Sequence, residues 1–446
     1  MNTPIYDFVT EYTNKKTARF HMPGHKGNCI LGCESLDITE IKGADSLYEA
    51  EGIIRESEQN ASVLFGCKTY YSTEGSSLCI RAALYLASVY AKEQNRPLKV
   101  FADRNAHKTF LSACALLDFE ISWIDAESNL SNLSFMPDLE KLDTSLSQSK
   151  STTNLVYITS PDYLGKISDI KAISNVCKKH NALLFVDNAH GAYLKFLSPS
   201  LHPIDLGADI CCDSAHKTLP VLTGGAYLHF SDSCPALFTK QAKQALSLFG
   251  STSPSYLILQ SLDLANKYMH QEYKAELDIL CDRVSELKAV LIKKGYTLYG
   301  DEPLKITVMT KKYGYSGYDF ANVLRQNNIE PEFCDPDFVV LMVSPKTHKE
   351  ELELLEKTML FAEKKDEITV CPPSFSLPKK RMTPKEATLS PMELLPVSKC
   401  IGKTAALSNV GCPPAVPIIF SGEVIDENTV RCFEYFGIKD CLVVKE

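Results

Sequence analysis

Five short apolar runs punctuate the chain between residues 99 and 230: 99–103, 155–160, 183–186, 209–213 and 225–230. Each stops at small or polar residues, the length and boundary expected of a buried strand. Between them lie helical periodicities at 105–119 and 170–180, the latter ending on Lys178, Lys179 and His180, as a helix C-terminus prefers. Upstream, Ile5, Phe8, Val9 and Tyr12 recur at helical spacing, a helix is predicted at 53–65, and Leu78, Ala82, Leu86 and Val89 mark one face of another. Downstream, 255–294 reads as helix closed by Gly295. Strands at 305–309 and 338–343 then alternate with helices at 318–326 and 349–364. Prolines cluster over 371–417 (Pro372, Pro373, Pro413, Pro414, Pro417), and short strands are expected at 418–420 and 442–444.

Apolar strands separated by helices predict an α/β fold whose large domain has a mostly parallel sheet covered on both faces. A smaller C-terminal α/β domain and a tail follow. The boundaries expected are an arm at 1–20, the large domain at 21–295, the small domain at 296–365 and a C-terminal segment at 366–446. In such sheets ligands lie at the carboxyl ends of the strands.

Composition narrows the class. Hydrophobic residues make up 45% and charged residues 23% of the 446, the balance of a globular chain. A formal charge of −8 and the lack of a basic cluster argue against a nucleic-acid partner. The 16 cysteines are scattered without a C-x-x-C pair and read as buried thiols of a reducing compartment. Adjacent Cys211 and Cys212 should point to opposite faces of their strand. With neither a secretory signal nor an apolar run of membrane-spanning length, a cytoplasmic location and no membrane partner are expected. His21 and His25 have the spacing of a helical metal pair, but Pro23-Gly24 between them breaks a helix, so no metal is expected.

Two strand ends carry the chemistry. The 183–186 run leads into Asp187, and the 209–213 run leads into Ser214-Ala215-His216-Lys217. A lysine in a turn is ordinarily a solvated surface residue. One that closes a buried strand is costly unless its amine is paired or covalently used. A strand-end carboxylate followed by a strand-end lysine suits pyridoxal phosphate, which needs a lysine for its aldehyde and an acid for its pyridine nitrogen. Gly75-Ser76-Ser77 at a helix start offers the phosphate cradle. Serines there are ordinarily plain caps; it is the ordered set that points to the cofactor.

The chain resembles the fold type I pyridoxal-phosphate decarboxylases of ornithine, lysine and arginine over essentially its whole length. The matching stretches include FHMPGHKG (20–27), EGSS (74–77), RNAHKT (104–109), SPDYLGKISDI (160–170), VDNAHGAY (186–193), DSAHKTLP (213–220) and CPPAVPIIFSGE (412–423). The resemblance implies that Lys217 bonds the cofactor aldehyde and Asp187 pairs with the pyridine nitrogen. It further implies that His107 stacks on the ring with Ala189 on the opposite face, and that His190 lies near the phenolic oxygen. Gly75, Ser76, Ser77, Ser214 and His216 would hold the phosphate, and either Lys217 or His216 would return a proton to the α carbon. The activity implied is decarboxylation of arginine, lysine or ornithine to the amine, feeding polyamine synthesis. The assembly implied is a homodimer or higher even oligomer. The chain starts directly before HMPGHKG, so the short form without an N-terminal wing domain is expected.

Two departures stand out. Many relatives have Asn-Gly-Thr-Ser where Glu74-Gly75-Ser76-Ser77 stands, and Asp-Glu-Ala-His where Asn188 follows Asp187. A carboxylate beside a phosphate is repulsive, so Glu74 is expected to point away from it or toward a basic partner. Glu49, Glu51, Glu74 and Glu423 are the acids available to read a basic substrate side chain. The alternatives are another fold type I reaction, such as an aminotransferase, or a silent binding protein. The first wants a small-domain arginine for the substrate carboxylate, and Arg325 is the only arginine between 284 and 380. The second should have lost Lys217 or Asp187, and both are present.

Overall fold

The computed structural model describes residues 1–126, 131, 133–374, 377–407 and 415–445. Pro413 and Pro414 of the proline-rich stretch, and the start of CPPAVPIIFSGE, lie outside these residues. In chain order the strands are β1 (Lys68–Ser72), β2 (Leu98–Ala102), β3 (Glu120–Trp123), β4 (Thr153–Thr159), β5 (Leu183–Asp187), β6 (Ile210–Asp213) and β7 (Ala226–Phe230). They continue with β8 (Leu298–Tyr299), β9 (Lys305–Met309), β10 (Phe333–Cys334), β11 (Phe338–Met342), β12 (Met392–Pro396) and β13 (Asp440–Val444). Contacts group the chain into two compact units: residues 1–98, 146–158 and 170–277, and residues 99–145, 159–169 and 278–446.

In the first unit the strands lie in the order β1-β7-β6-β5-β4. The runs LLFVD, ICCD and AYLHF become β5, β6 and β7, and every residue of β6 and β7 is buried. A strand buried on both faces cannot alternate apolar with polar, which is why these runs are continuous. β5 and β6 are parallel, with Asp187 opposite Cys212. β7 runs antiparallel to β6, and β1 antiparallel to β7. Residues 214–225 connect β6 to β7, which returns beside it in the opposite direction.

The helix Ile170–Lys179 buries Ile170, Ile173, Ser174 and Cys177, one stripe at i, i+3, i+4 and i+7. Each isoleucine so buried contributes about 1.5–3 kcal/mol. The helices Gly75–Glu93 and Ala236–Phe249 pack together, and both bury alanines (Ala82, Ala83, Ala87 and Ala91 on one, Ala242 and Ala245 on the other). The N-terminal helix Pro4–Asn14 is tied down by buried Asp263, which accepts the N–H groups of Ile5 and Tyr6 at 2.9 and 3.0 Å. The 255–294 stretch is two helices, Tyr256–Gln271 and Tyr273–Lys294, with Glu272 between them.

In the second unit β2 and β3 pair in parallel, and β10-β11-β9-β8 form an antiparallel sheet. Phe338 and Val340 pack there with Leu133, Tyr163, Leu164 and Val416. β12 pairs with β13 over a cluster that includes Cys400, Ile419, Ile425, Phe433 and Val443. The strand expected at 418–420 does not form. Phe420 instead donates its N–H to the Glu423 carboxylate at 2.8 Å, and its carbonyl accepts the Glu423 N–H, closing a turn.

Candidate active site

The ends of β5 and β6 bring Asp187 and the Lys217 turn into one unit. Asp187 closes β5 and is buried. Its carboxylate accepts the Tyr157 hydroxyl at 2.9 Å and the Cys212 thiol at 3.5 Å, and the Ala189 N–H also reaches it. Burial pushes its pKa up, and these donors, with the Lys217 charge, only partly offset that. A buried carboxylate short of countercharge is the partner a protonated pyridine nitrogen requires.

β6 ends at Asp213, and the chain then makes one helical turn, Ala215–Thr218. Ala215 and Thr218 face inward while Lys217 faces out, so the lysine is exposed where the sequence suggested a buried amine. Its Nζ lies 3.1 Å from Nε2 of buried His190. Half-buried Ala189 sits between Asp187 and His190 in the chain. His216 bonds the Gly225 carbonyl through Nδ1 at 2.9 Å. Burial holds its pKa below the usual range, so the ring is neutral with its proton on Nδ1.

Ser76 and Ser77 are not caps: the helix starts at Gly75, its N-cap Glu74 makes no side-chain cap bond, and the serines fall inside the first turn. Ser214 Oγ donates to Ser76 Oγ at 2.8 Å, joining the Lys217 turn to this helix start. The Gly75 N–H is committed to the Gly224 carbonyl at 2.7 Å, so any phosphate contact by Gly75 must come by close approach of its backbone and not from that donor. The His216 ring lies against Gly75. Helix terminus, two hydroxyls and an adjacent lysine suit a phosphate-bearing aldehyde.

His107 belongs to the second unit, as N-cap of the helix Lys108–Leu117. Its Nδ1 accepts the Thr109 N–H at 3.2 Å and pairs with the Thr109 hydroxyl at 2.9 Å. That cap fixes the ring's orientation. Among the candidate substrate-reading acids, Glu423 is gripped by both terminal nitrogens of buried Arg104 at 2.7 Å, with Phe420 3.8 Å from the guanidinium. Of the two expectations for Glu74, to point away or to meet a basic partner, the second is not seen among the described residues, where its carboxylate takes the Ser251 N–H; Glu49 and Glu51 are exposed. Residues 21–27 form turns and bends, with His21 bonded to Tyr12 and His25 to Asp37.

Sequence reasoning missed Tyr157 and Cys212 as partners of Asp187, and it missed a fully buried cluster of Asp213, His202 and His229. One signal was available for the cluster. A histidine inside the otherwise apolar run AYLHF has to find a buried partner.

Structural neighbours place the fold among type I pyridoxal-phosphate enzymes. The crystal structure of the Francisella novicida lysine decarboxylase superposes with a TM-score of 0.79 at 16% identity, covering 99% of this chain and 81% of that one. The sequence family described as “Orn/Lys/Arg decarboxylase, major domain” matches residues 3–294, and its C-terminal domain matches residues 372–441. The chain belongs to the Orn/Lys/Arg decarboxylase family and is a pyridoxal-phosphate-dependent amino-acid decarboxylase by class. Among relatives, the uncharacterized protein YaaO of Bacillus subtilis (strain 168) is 27% identical over 97% of this chain and 93% of its own length. The arginine decarboxylase of Halalkalibacterium halodurans is 27% identical over 96% and 92%. Among the described residues, no helix is long and apolar enough to cross a membrane.

Proposed function

We propose that this protein releases carbon dioxide from arginine, lysine or ornithine, leaving the corresponding amine for polyamine synthesis in the cytoplasm. Arginine decarboxylases among the relatives, at 27% identity, support a basic substrate. The observation that carries the reading is the under-compensated Asp187 carboxylate at the end of β5, one strand from the turn bearing Lys217.

Pyridoxal phosphate, when bound, supplies the electron sink for the bond that breaks. Lys217 would hold its aldehyde, Asp187 its pyridine nitrogen, and Ser76, Ser77, Ser214 and His216 its phosphate, with Ala189 against one face of its ring. Asp187 would set its carboxylate against that nitrogen in a dry site, where a charge acts more strongly than in water. His190, 3.1 Å from Lys217 Nζ, can take or return a proton at that nitrogen. With Nδ1–H bonded to Gly225, His216 can act as a base only through Nε2. Lys217 would return the proton to the α carbon, and His216 would do so only after taking one up at Nε2. The aminotransferase reading has little support, because exposed Arg325 is paired with Glu330 through Nε and Nη2 at 2.8–3.1 Å.

The assembly proposed is a homodimer. Phe20, Met22, Ile30 and Leu31, all in the first 31 residues, are between 67% and 96% exposed, a set of large apolar side chains that a second copy would cover. For the cofactor, the purified protein mixed with pyridoxal phosphate should absorb visible light, and Lys217→Ala should abolish that band. A wild type that stays colourless would overturn the proposal.

A further inference from the structure

Asp213 is fully buried and has no part in the reaction proposed above. Side chains alternate across a sheet, so Asp187 and its register partner Cys212 share one face, while Cys211, Asp213 and Asn188 fall on the other. The contacts agree: Cys212 Sγ reaches Asp187, and Cys211 Sγ reaches Asp213, each at 3.5 Å. Behind the proposed site, Asp213 gathers donors from two further strand ends and a loop. Its Oδ1 accepts Asn188 Nδ2 at 2.7 Å, and its Oδ2 accepts His202 Nε2 at 3.1 Å and His229 Nε2 at 3.2 Å. His229 Nδ1 continues to the Thr69 hydroxyl on β1 at 2.9 Å.

Asn188 makes this bond at a cost. Its Oδ1 is buried with no hydrogen-bond partner among the described residues, and it occupies the space where a Cβ on Gly191 would sit, 1.9 Å away. Turning the amide over would set that oxygen against the Asp213 carboxylate. Asn188 immediately follows Asp187, and Asp213 immediately precedes the Ser214–Lys217 turn, so this one bond ties the two functional strand ends together.

We propose that Asp213 is a positioning residue, holding through Asn188 the end of β5 that carries Asp187 in fixed relation to the turn that carries Lys217. The inference rests on the decarboxylase reading. A metal ion is the competing occupant, because ligand atoms of His202, Cys211 and Asp213 lie within 4.8 Å of one another. The N–O distances are those of ordinary hydrogen bonds, and burial keeps Cys211 a thiol, whereas a metal ligand is a thiolate.

The test uses the holoenzyme with two variants, Asn188→Ala and Asp213→Asn. The first removes one hydrogen bond and leaves the histidine–carboxylate cluster intact, so it decides the matter if the second fails to fold. Readouts are kcat and KM, the pH midpoint of the bound-cofactor absorbance, thermal unfolding and metal content. The titratable groups facing Asp213 are His202, His229 and Cys211, with Cys67 behind His229 and the fields of Asp213 and Asp187 overlapping at Cys212. Asn188→Ala should retain cofactor, lower kcat about tenfold with KM within about twofold, and move the absorbance midpoint. An unchanged kcat and midpoint in an active, cofactor-bound variant would overturn the proposal. So would one equivalent of metal in the wild type that Asp213→Asn loses. A wild type that binds cofactor yet decarboxylates nothing would remove the underlying reading instead, and this inference with it.

Discussion

Tyr157 and Cys212 are the two side chains that donate to the buried Asp187 carboxylate, and the Tyr157 hydroxyl is the closer at 2.9 Å. Removing that hydroxyl with Tyr157→Phe takes away about 1 kcal/mol of support for the charged form. The Asp187 pKa, already raised by burial, should rise further. The acid limb of the pH–activity profile should therefore move to higher pH, with kcat/KM at neutral pH down about fivefold; an unmoved acid limb would contradict this role. Asp187 and Lys217 were legible in the sequence because each lies where an apolar run stops. Their supporting residues were not. Cys212 meets Asp187 only through strand register, and Glu423 reads as a free acid because Arg104 lies 319 positions away in sequence.

At the scale of elements, β5, β6 and β7 announced themselves, since a strand buried on both faces reads as a nearly continuous apolar run. The helix Ala236–Phe249 did not stand out, because its buried stripe of Phe238, Ala242, Ala245 and Leu246 is half alanine. The turn before β7 was also invisible, and it makes a sharp demand. Gly224 has φ +99°, and a Cβ there would lie 2.7 Å from the Thr73 carbonyl oxygen. Its own carbonyl holds the Gly75 N–H at the proposed phosphate cradle. Gly224→Ala should cost about 1–3 kcal/mol and weaken pyridoxal phosphate binding in a titration, because the strain falls on the cradle. A variant with wild-type melting and cofactor affinity would show that the turn tolerates a side chain.

Across the whole molecule, several buried acids carry raised pKa values. Burial pushes Asp162 and Asp263 up to about 6 and Asp335 up to about 7, and Asp335 Oδ2 is buried with no hydrogen-bond partner among the described residues. A carboxyl with a raised folded-state pKa contributes stability that is complete below the unfolded value of about 4 and is lost as pH rises through 6 to 7. Asp213 and Asp45, whose pKa values are lowered, act in the opposite sense but only below about pH 4. Melting temperature should therefore be higher at about pH 5.5 than at about pH 7.5; the reverse order would contradict the burial of these acids. The α/β class was legible over both units, while the division of the chain between them was not, because residues 99–145 and 159–169 join the C-terminal half through contacts remote in sequence.

The central claim is the reaction. The most direct measurement is carbon dioxide release by the cofactor-loaded protein from arginine, lysine, ornithine and a set of neutral amino acids. Release from at least one basic amino acid and from none of the neutral ones is the predicted result. Release from no basic amino acid would contradict the account.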